Sequence, residues 1–133
     1  MESLKHIIIR NAKIIDSKSK YNGQKKDILI VDGIIKKIDT QINIKTPFFE
    51  TKFKNLHVSG GWLDLHCRLG EPGFEYRENI QTGLMAAAKG GFTSVVTMPS
   101  TNPPIETKSD INFLIERAIN HIVEILPTGC ITK

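Results

Sequence analysis

Asp64, His66 and Arg68 occupy alternate positions of the run Leu63-Asp-Leu-His-Cys-Arg68. On a β-strand, residues two apart point to the same face, so three side chains at this spacing converge on one small volume. A carboxylate and an imidazole placed this way form half of a cation grip. A second imidazole at 68 would complete it. Arginine has no acceptor lone pair and stays protonated, so it cannot ligate a cation and repels one nearby. His66 therefore has two readings, a residual metal ligand or a packing histidine. Arg68 reads as a fixed positive charge able to hold an anion or to stabilise an oxyanion. No residue is assigned a catalytic role. His6, His57 and His121 lie outside this run and read as surface or packing residues.

The elements that would position this strand end are legible as alternating β and α patterns. Leu56 to His66 predicts a strand, and a helix is expected over Glu75 to Lys89, with Ile80, Leu84, Ala87 and Ala88 on one face. Gly90-Gly91 supplies the stop. Phe92 to Met98 is a nearly continuous apolar run, as in a parallel strand buried on both faces. Thr107 followed by Asp110 opens a second helix in the manner of a capping box. That helix presents Ile111, Leu114, Ile115, Ala118 and Ile119 on one face, with Ile122 at its end. Val123 to Ile131 returns as a third strand with Pro127 at its mouth-side end. Short loops and βαβαβ order predict a parallel sheet.

The first 58 residues read as strands. Ile7 to Arg10 and Lys13 to Ile15 flank Asn11-Ala12. Ile28 to Val31 and Ile34 to Ile38 flank Asp32-Gly33, the strongest two-residue hairpin signal. Thr40 to Asn55 reads as a connector with one further strand. The expected organisation is a β portion over residues 1–58 and a βα portion over 59–133.

Three stretches carry a resemblance: Gly60-Gly-Trp-Leu-Asp-Leu-His-Cys-Arg-Leu-Gly-Glu-Pro-Gly73, Thr82-Gly-Leu-Met-Ala-Ala-Ala-Lys-Gly-Gly-Phe-Thr93 and Met98-Pro-Ser-Thr-Asn-Pro-Pro104. Their order and spacing resemble the dihydroorotase branch of the amidohydrolase superfamily. The fold this implies is α/β, the first βα units of a (β/α)8 TIM-type barrel preceded by part of a small β-sandwich. The implied activity is a zinc-dependent hydrolysis of a cyclic amide, interconverting carbamoyl-aspartate and dihydroorotate in pyrimidine biosynthesis. By this resemblance His66 matches the first metal histidine, and Arg68 stands in place of the second. Gly70 replaces an arginine that binds the substrate carboxylate, and Ser100 replaces an asparagine that touches substrate. Glu71, Pro72, Gly73, Pro99, Thr101 and Pro103 are retained and mostly shape loops. Arg68 shares strand parity with residue 70, so it is expected to reach the space vacated there and to bind the substrate carboxylate. Stoichiometric zinc and turnover are not expected of this chain. An alternative is a non-catalytic homologue that scaffolds a partner enzyme such as aspartate carbamoyltransferase.

A barrel of this kind takes roughly 250 residues, whereas this chain has 133. Gly129 to Lys133 looks like the close of a third barrel strand, so the chain is read as part of a longer protein or a truncated product. Unpaired sheet edges predict self-association or poor folding. A hydrophobic content of 40% and a charged content of 24% fit a globular chain without a disorder signature. The net charge of +4 is carried by scattered lysines. They read as solvated positions at loops and strand edges, so no nucleic-acid partner is expected. Cys67 and Cys130 form no metal-binding spacing. Alternation points Cys67 away from the barrel lumen as a small buried hydrophobe. No apolar run approaches ~18 residues and no leader pattern is present, so no membrane partner and a cytoplasmic location are expected.

Overall fold

The computed structural model describes residues 6–131. The chain forms two compact units, Met1–Gly60 and Gly61–Lys133. In the first, β1 (His6–Ile15), β2 (Lys25–Val31), β3 (Ile34–Asp39), β4 (Phe49–Thr51) and β5 (His57–Ser59) make one five-stranded sheet. Strands β1, β2 and β3 pair antiparallel in succession. Strands β4 and β5 both pair in parallel with β1, the first at Ile7–Ile9 and the second at Lys13–Ile15.

Two local features set this sheet. Asp32 and Gly33 both hold positive φ, at 50° and 77°, so Val31 pairs directly with Ile34 across a two-residue turn. Asn11-Ala12 separates no strands. β1 runs through it with a bulge, because Ile9 pairs with Ile28 while Ala12 pairs with Lys26. The bulge is held by a buried carboxylate. Asp27 accepts from the Asn11 backbone N–H at 2.9 Å, from the Ile42 N–H at 3.1 Å and from Arg10 at 2.7 Å.

The second unit contains β6 (Trp62–Cys67), α1 (Ile80–Lys89), β7 (Phe92–Thr97), α2 (Lys108–Arg117) and β8 (Glu124–Pro127). The three strands pair in parallel in the order β6-β7-β8. Val95 and Ile125 are register partners on one sheet face, where they meet Leu84 and Ile80 of α1 and Leu114 of α2. Helices pack on that face as the βαβαβ order requires.

Several boundaries differ from the sequence expectation. His57–Ser59 belongs to the first sheet, and the first parallel strand starts only at Trp62, whose N–H donates to Gly91 O. Helix α1 starts at Ile80 instead of Glu75. Asn79 caps it by accepting from Thr82 N, and the Thr82 hydroxyl accepts from Asn79 N. This reciprocal cap fixes the start, leaving residues 74–78 to the loop. The third strand is shorter than expected, ending at Pro127. Thr132 and Lys133 of the expected strand close lie outside the described residues.

Candidate functional site

Strand β6 ends at Cys67, where the sheet makes its last contact through Met98 N–H to Cys67 O at 2.9 Å. Asp64 is half-buried and His66 exposed, both within the strand. One oxygen of the Asp64 carboxylate already accepts the backbone N–H of His66 at 2.8 Å. Arg68 lies past the strand end and is exposed. Arg68 and Gly70 both lie beyond the last strand residue, so strand pairing does not fix the shared parity expected for them.

Position 70 is also not a vacated space. Gly70 is buried, its carbonyl accepts Phe74 N–H at 2.7 Å, and a Cβ there would overlap the Glu78 carbonyl and lie 2.7 Å from that of Phe74. The chain turns back over the glycine and fills the volume that a longer side chain would need. An arginine at 70 requires this turn to open.

The loop that follows is tied down by a residue that sequence reading treated only as loop-shaping. Glu71 is buried and accepts from Ile80 N–H at 3.1 Å and from Arg117 Nε at 2.8 Å. One carboxylate thus meets an orphan donor at the start of α1 and clamps the end of α2, 46 residues away in the chain. No local pattern connects Glu71 to Arg117. The next loop is stitched to the first by Asn102 N–H donating to Pro72 O at 3.0 Å. Gly73, at φ 93°, permits this approach, since a Cβ there would collide with the Asn102 carbonyl. Ser100 is exposed in that second loop. A cavity of about 310 Å³ beside these loops is lined by Pro72, Pro103, Ile105, Ser109, Asp110 and Phe113, so neither His66 nor Arg68 reaches it.

Cys67 is half-buried and packs against the apolar cluster under the helices. Burial pushes its thiol up from the ordinary value, and the charges of Asp64 and Glu78 push the same way. A thiol held protonated is a poor nucleophile, which fits the small-hydrophobe reading.

Comparison with known proteins places this arrangement. Among solved structures, L-hydantoinase from Arthrobacter aurescens superposes with a TM-score of 0.70 at 22% identity, covering 92% of this chain and 27% of that one. A dihydroorotase structure superposes at 0.63 and 18% identity, covering 94% and 31%. The fold is thus that of the first βα units of a TIM-type barrel with a preceding β region. A dihydro-orotase-like family model matches residues 56–133, and the chain belongs to that family. It is 40% identical over 129 residues to the dihydroorotase of Aquifex aeolicus (strain VF5). To the dihydroorotase of Caldicellulosiruptor saccharolyticus it is 43% identical over 133 residues. In both cases the match covers 96% of this chain, which spans about 30% of the relative's length.

The family is generally zinc-dependent. The residues present do not fit such a centre. At the expected grip there are one exposed imidazole, one carboxylate already engaged with its own backbone, and a guanidinium. Among the described residues no group of three or more His, Cys, Asp or Glu side chains converges to hold a cation. No helix among them is long and apolar enough to cross a membrane.

Proposed function

We propose that this chain is a portion of a dihydroorotase-like cyclic amidohydrolase, related to the enzymes that interconvert carbamoyl-aspartate and dihydroorotate. We further propose that this portion does not itself support turnover. The observation that carries the reading is the match of residues 56–133 to the family, combined with Arg68 at the second grip position. The chain supplies the βα framework and the two stitched loops after β6 and β7. His66 is the residue that would face a metal, and Arg68 the one that would face the substrate carboxylate.

A chimaera tests this directly. The segment of the Aquifex aeolicus dihydroorotase that aligns with this chain is replaced by residues 1–133, and cyclisation of carbamoyl-aspartate is assayed with zinc content. Loss of a buried charged contact costs ~2–5 kcal/mol, or roughly 30- to several-thousand-fold in rate. The chimaera is expected to fall by at least that factor. Restoring the second histidine and the asparagine with R68H and S100N is expected to recover part of the activity and the metal, whereas adding G70R requires the turn over residue 70 to open. An unmodified chimaera with full activity and two zinc ions would overturn the reading, and Arg68 would need a different role.

A further inference from the structure

The first unit holds the excess of positive charge. Residues 1–60 carry 12 Lys+Arg against 6 Asp+Glu, while residues 61–133 carry 6 against 8. Scattered along the sequence, several of these lysines converge in the fold. Lys25 of β2 pairs in register with Lys13 of β1, and Lys13 pairs with His57 of β5. Like charges placed directly opposite across strands are destabilising. Beside this row lies a solvent-exposed concavity of about 520 Å³, lined by Asn11, Lys25, Lys52, Phe53, Lys54 and Asn55.

Carboxylates do not neutralise it. Asp27 is buried in its own network, and Glu50 pairs with Arg10 at 3.4 Å. Among the described residues none of Lys13, Lys25, Lys52 and Lys54 makes an ion pair. The concavity is also shaped by the fold. Lys13 N–H donates to Leu56 O at 2.9 Å, tying the 52–56 segment to β1, and His57 Nδ1 contacts Asn55 O at 2.7 Å. Asn11 and Asn55 both adopt left-handed backbone, which turns the chain at its two sides. Between Lys52 and Lys54, Phe53 leaves 69% of its surface in water. That aromatic between two lysines is a signal the sequence reading passed over.

We propose that this concavity binds an organic polyphosphate, its phosphates held by Lys25, Lys52 and Lys54 and a planar aromatic ring stacked on Phe53. Three ammonium groups without carboxylate partners suit a multiply charged anion. An exposed aromatic ring beside them offers a sequence-tolerant stacking face. The volume lies within the ordinary range for small-molecule sites. The site is confined to the first unit and is independent of the amidohydrolase reading.

The test uses the 133-residue chain at ~150 mM salt, where weak surface attraction is screened. Calorimetric titration compares inorganic tripolyphosphate with adenosine triphosphate, both metal-free. Both are expected to bind, the nucleotide at least about fivefold more tightly through stacking, and F53A is expected to erase that difference. K52E/K54E should weaken both at least about tenfold. K36E/K37E on β3, the same change in net charge, should leave both unchanged. Acetylation footprinting of the unsubstituted chain needs no variant, and the nucleotide should protect Lys25, Lys52 and Lys54 but not Lys36. Equal losses in the two charge variants, uniform labelling, or tighter binding of a single-stranded oligonucleotide than of the triphosphate would overturn the proposal.

Discussion

Both units bury apolar side chains, Ile8, Ala12, Ile14, Ile28 and Ile42 in the first, but they differ in what else lies at the centre. The β unit centres on a buried polar network, in which Asp27, Arg10 and the backbone of Asn11 and Ile42 satisfy one another inside a bulge. The βα unit centres on an apolar cluster of Leu69, Ile80, Leu84, Val95, Ile105, Leu114, Val123 and Ile125 beneath two capped helices. Their surfaces differ in charge, the β unit carrying the lysine excess, while both leave apolar side chains exposed: Ile34 59% and Ile35 57% in the first, Leu65 68% on β6 and Ile122 81% just before β8 in the second. A groove of about 740 Å³ along α2 and β8 takes in Ile115, Ile119, Ile122 and Leu126. Charged edges resist pairing with other chains and apolar ones invite it. The β unit thus adds a buried ion pair and a lysine-rich surface to its apolar core, whereas the βα unit adds an apolar groove along α2 and β8.

The largest expected effect that probes this difference is in the polar network. Asp27→Ala removes the acceptor of the Asn11 and Ile42 N–H groups and the nearer carboxylate partner of Arg10, and breaking a buried pair costs ~3–5 kcal/mol. Urea unfolding followed by the antiparallel-sheet infrared bands, which among the described residues only β1–β3 supply, should show the β unit melting first, while helical circular dichroism, confined to α1 and α2, persists. The same network gives the β unit an acid dependence. Burial pushes the Asp27 carboxyl up, but the bonds from Asn11, Arg10 and Ile42 outweigh it and hold it below the ordinary value of 3.8. A folded-state value below the unfolded one means the stabilisation is present above pH ~4 and lost as pH falls through the depressed value. The Asp27→Ala chain should lack that acid step.

Leu84→Ala should reverse the pattern. The residue is fully buried in the apolar cluster, and such truncations cost ~2–5 kcal/mol. Helical signal should be lost at lower urea while the antiparallel-sheet bands of β1–β3 hold. Coincident loss of both signals in either variant would show that the units unfold as one.

Glu71→Gln is expected to be milder. It weakens a bond to Arg117, which is half-exposed, and retains an acceptor for Ile80 N–H, so about 1 kcal/mol is expected. Thermal melting read at the helical band should fall by a few degrees. The smallest change in folding energy, and the sharpest in assembly, is expected from I119E with I122E. Both positions are exposed, so stability should move little. Sedimentation velocity should shift from associated species towards monomer if the apolar flank drives self-association. An unchanged distribution would mean that the flank is not the contact.

Local chemistry determined much of this protein. Asp32-Gly33 dictates its turn because two consecutive positive φ values admit few other residues, and the Thr107–Asp110 cap dictates the start of α2 in the same way. The parallel βαβαβ order, the apolar faces of Ile80, Leu84 and Leu114, and the family itself were all readable from periodicity and motif. Tertiary structure alone decided the rest. The alternation that would pair Arg68 with position 70 is fixed only within a paired strand, and β6 stops at Cys67, whose register partner Thr97 is the last residue of β7. Gly70 reads as a deletion until the Phe74 and Glu78 carbonyls are seen to occupy its surroundings. Glu71 meets Arg117, and Lys25 meets Lys52 and Lys54, across separations that carry no local signal. Short-range sterics are written residue by residue, whereas partners distant in the chain are chosen only when strands and helices pack.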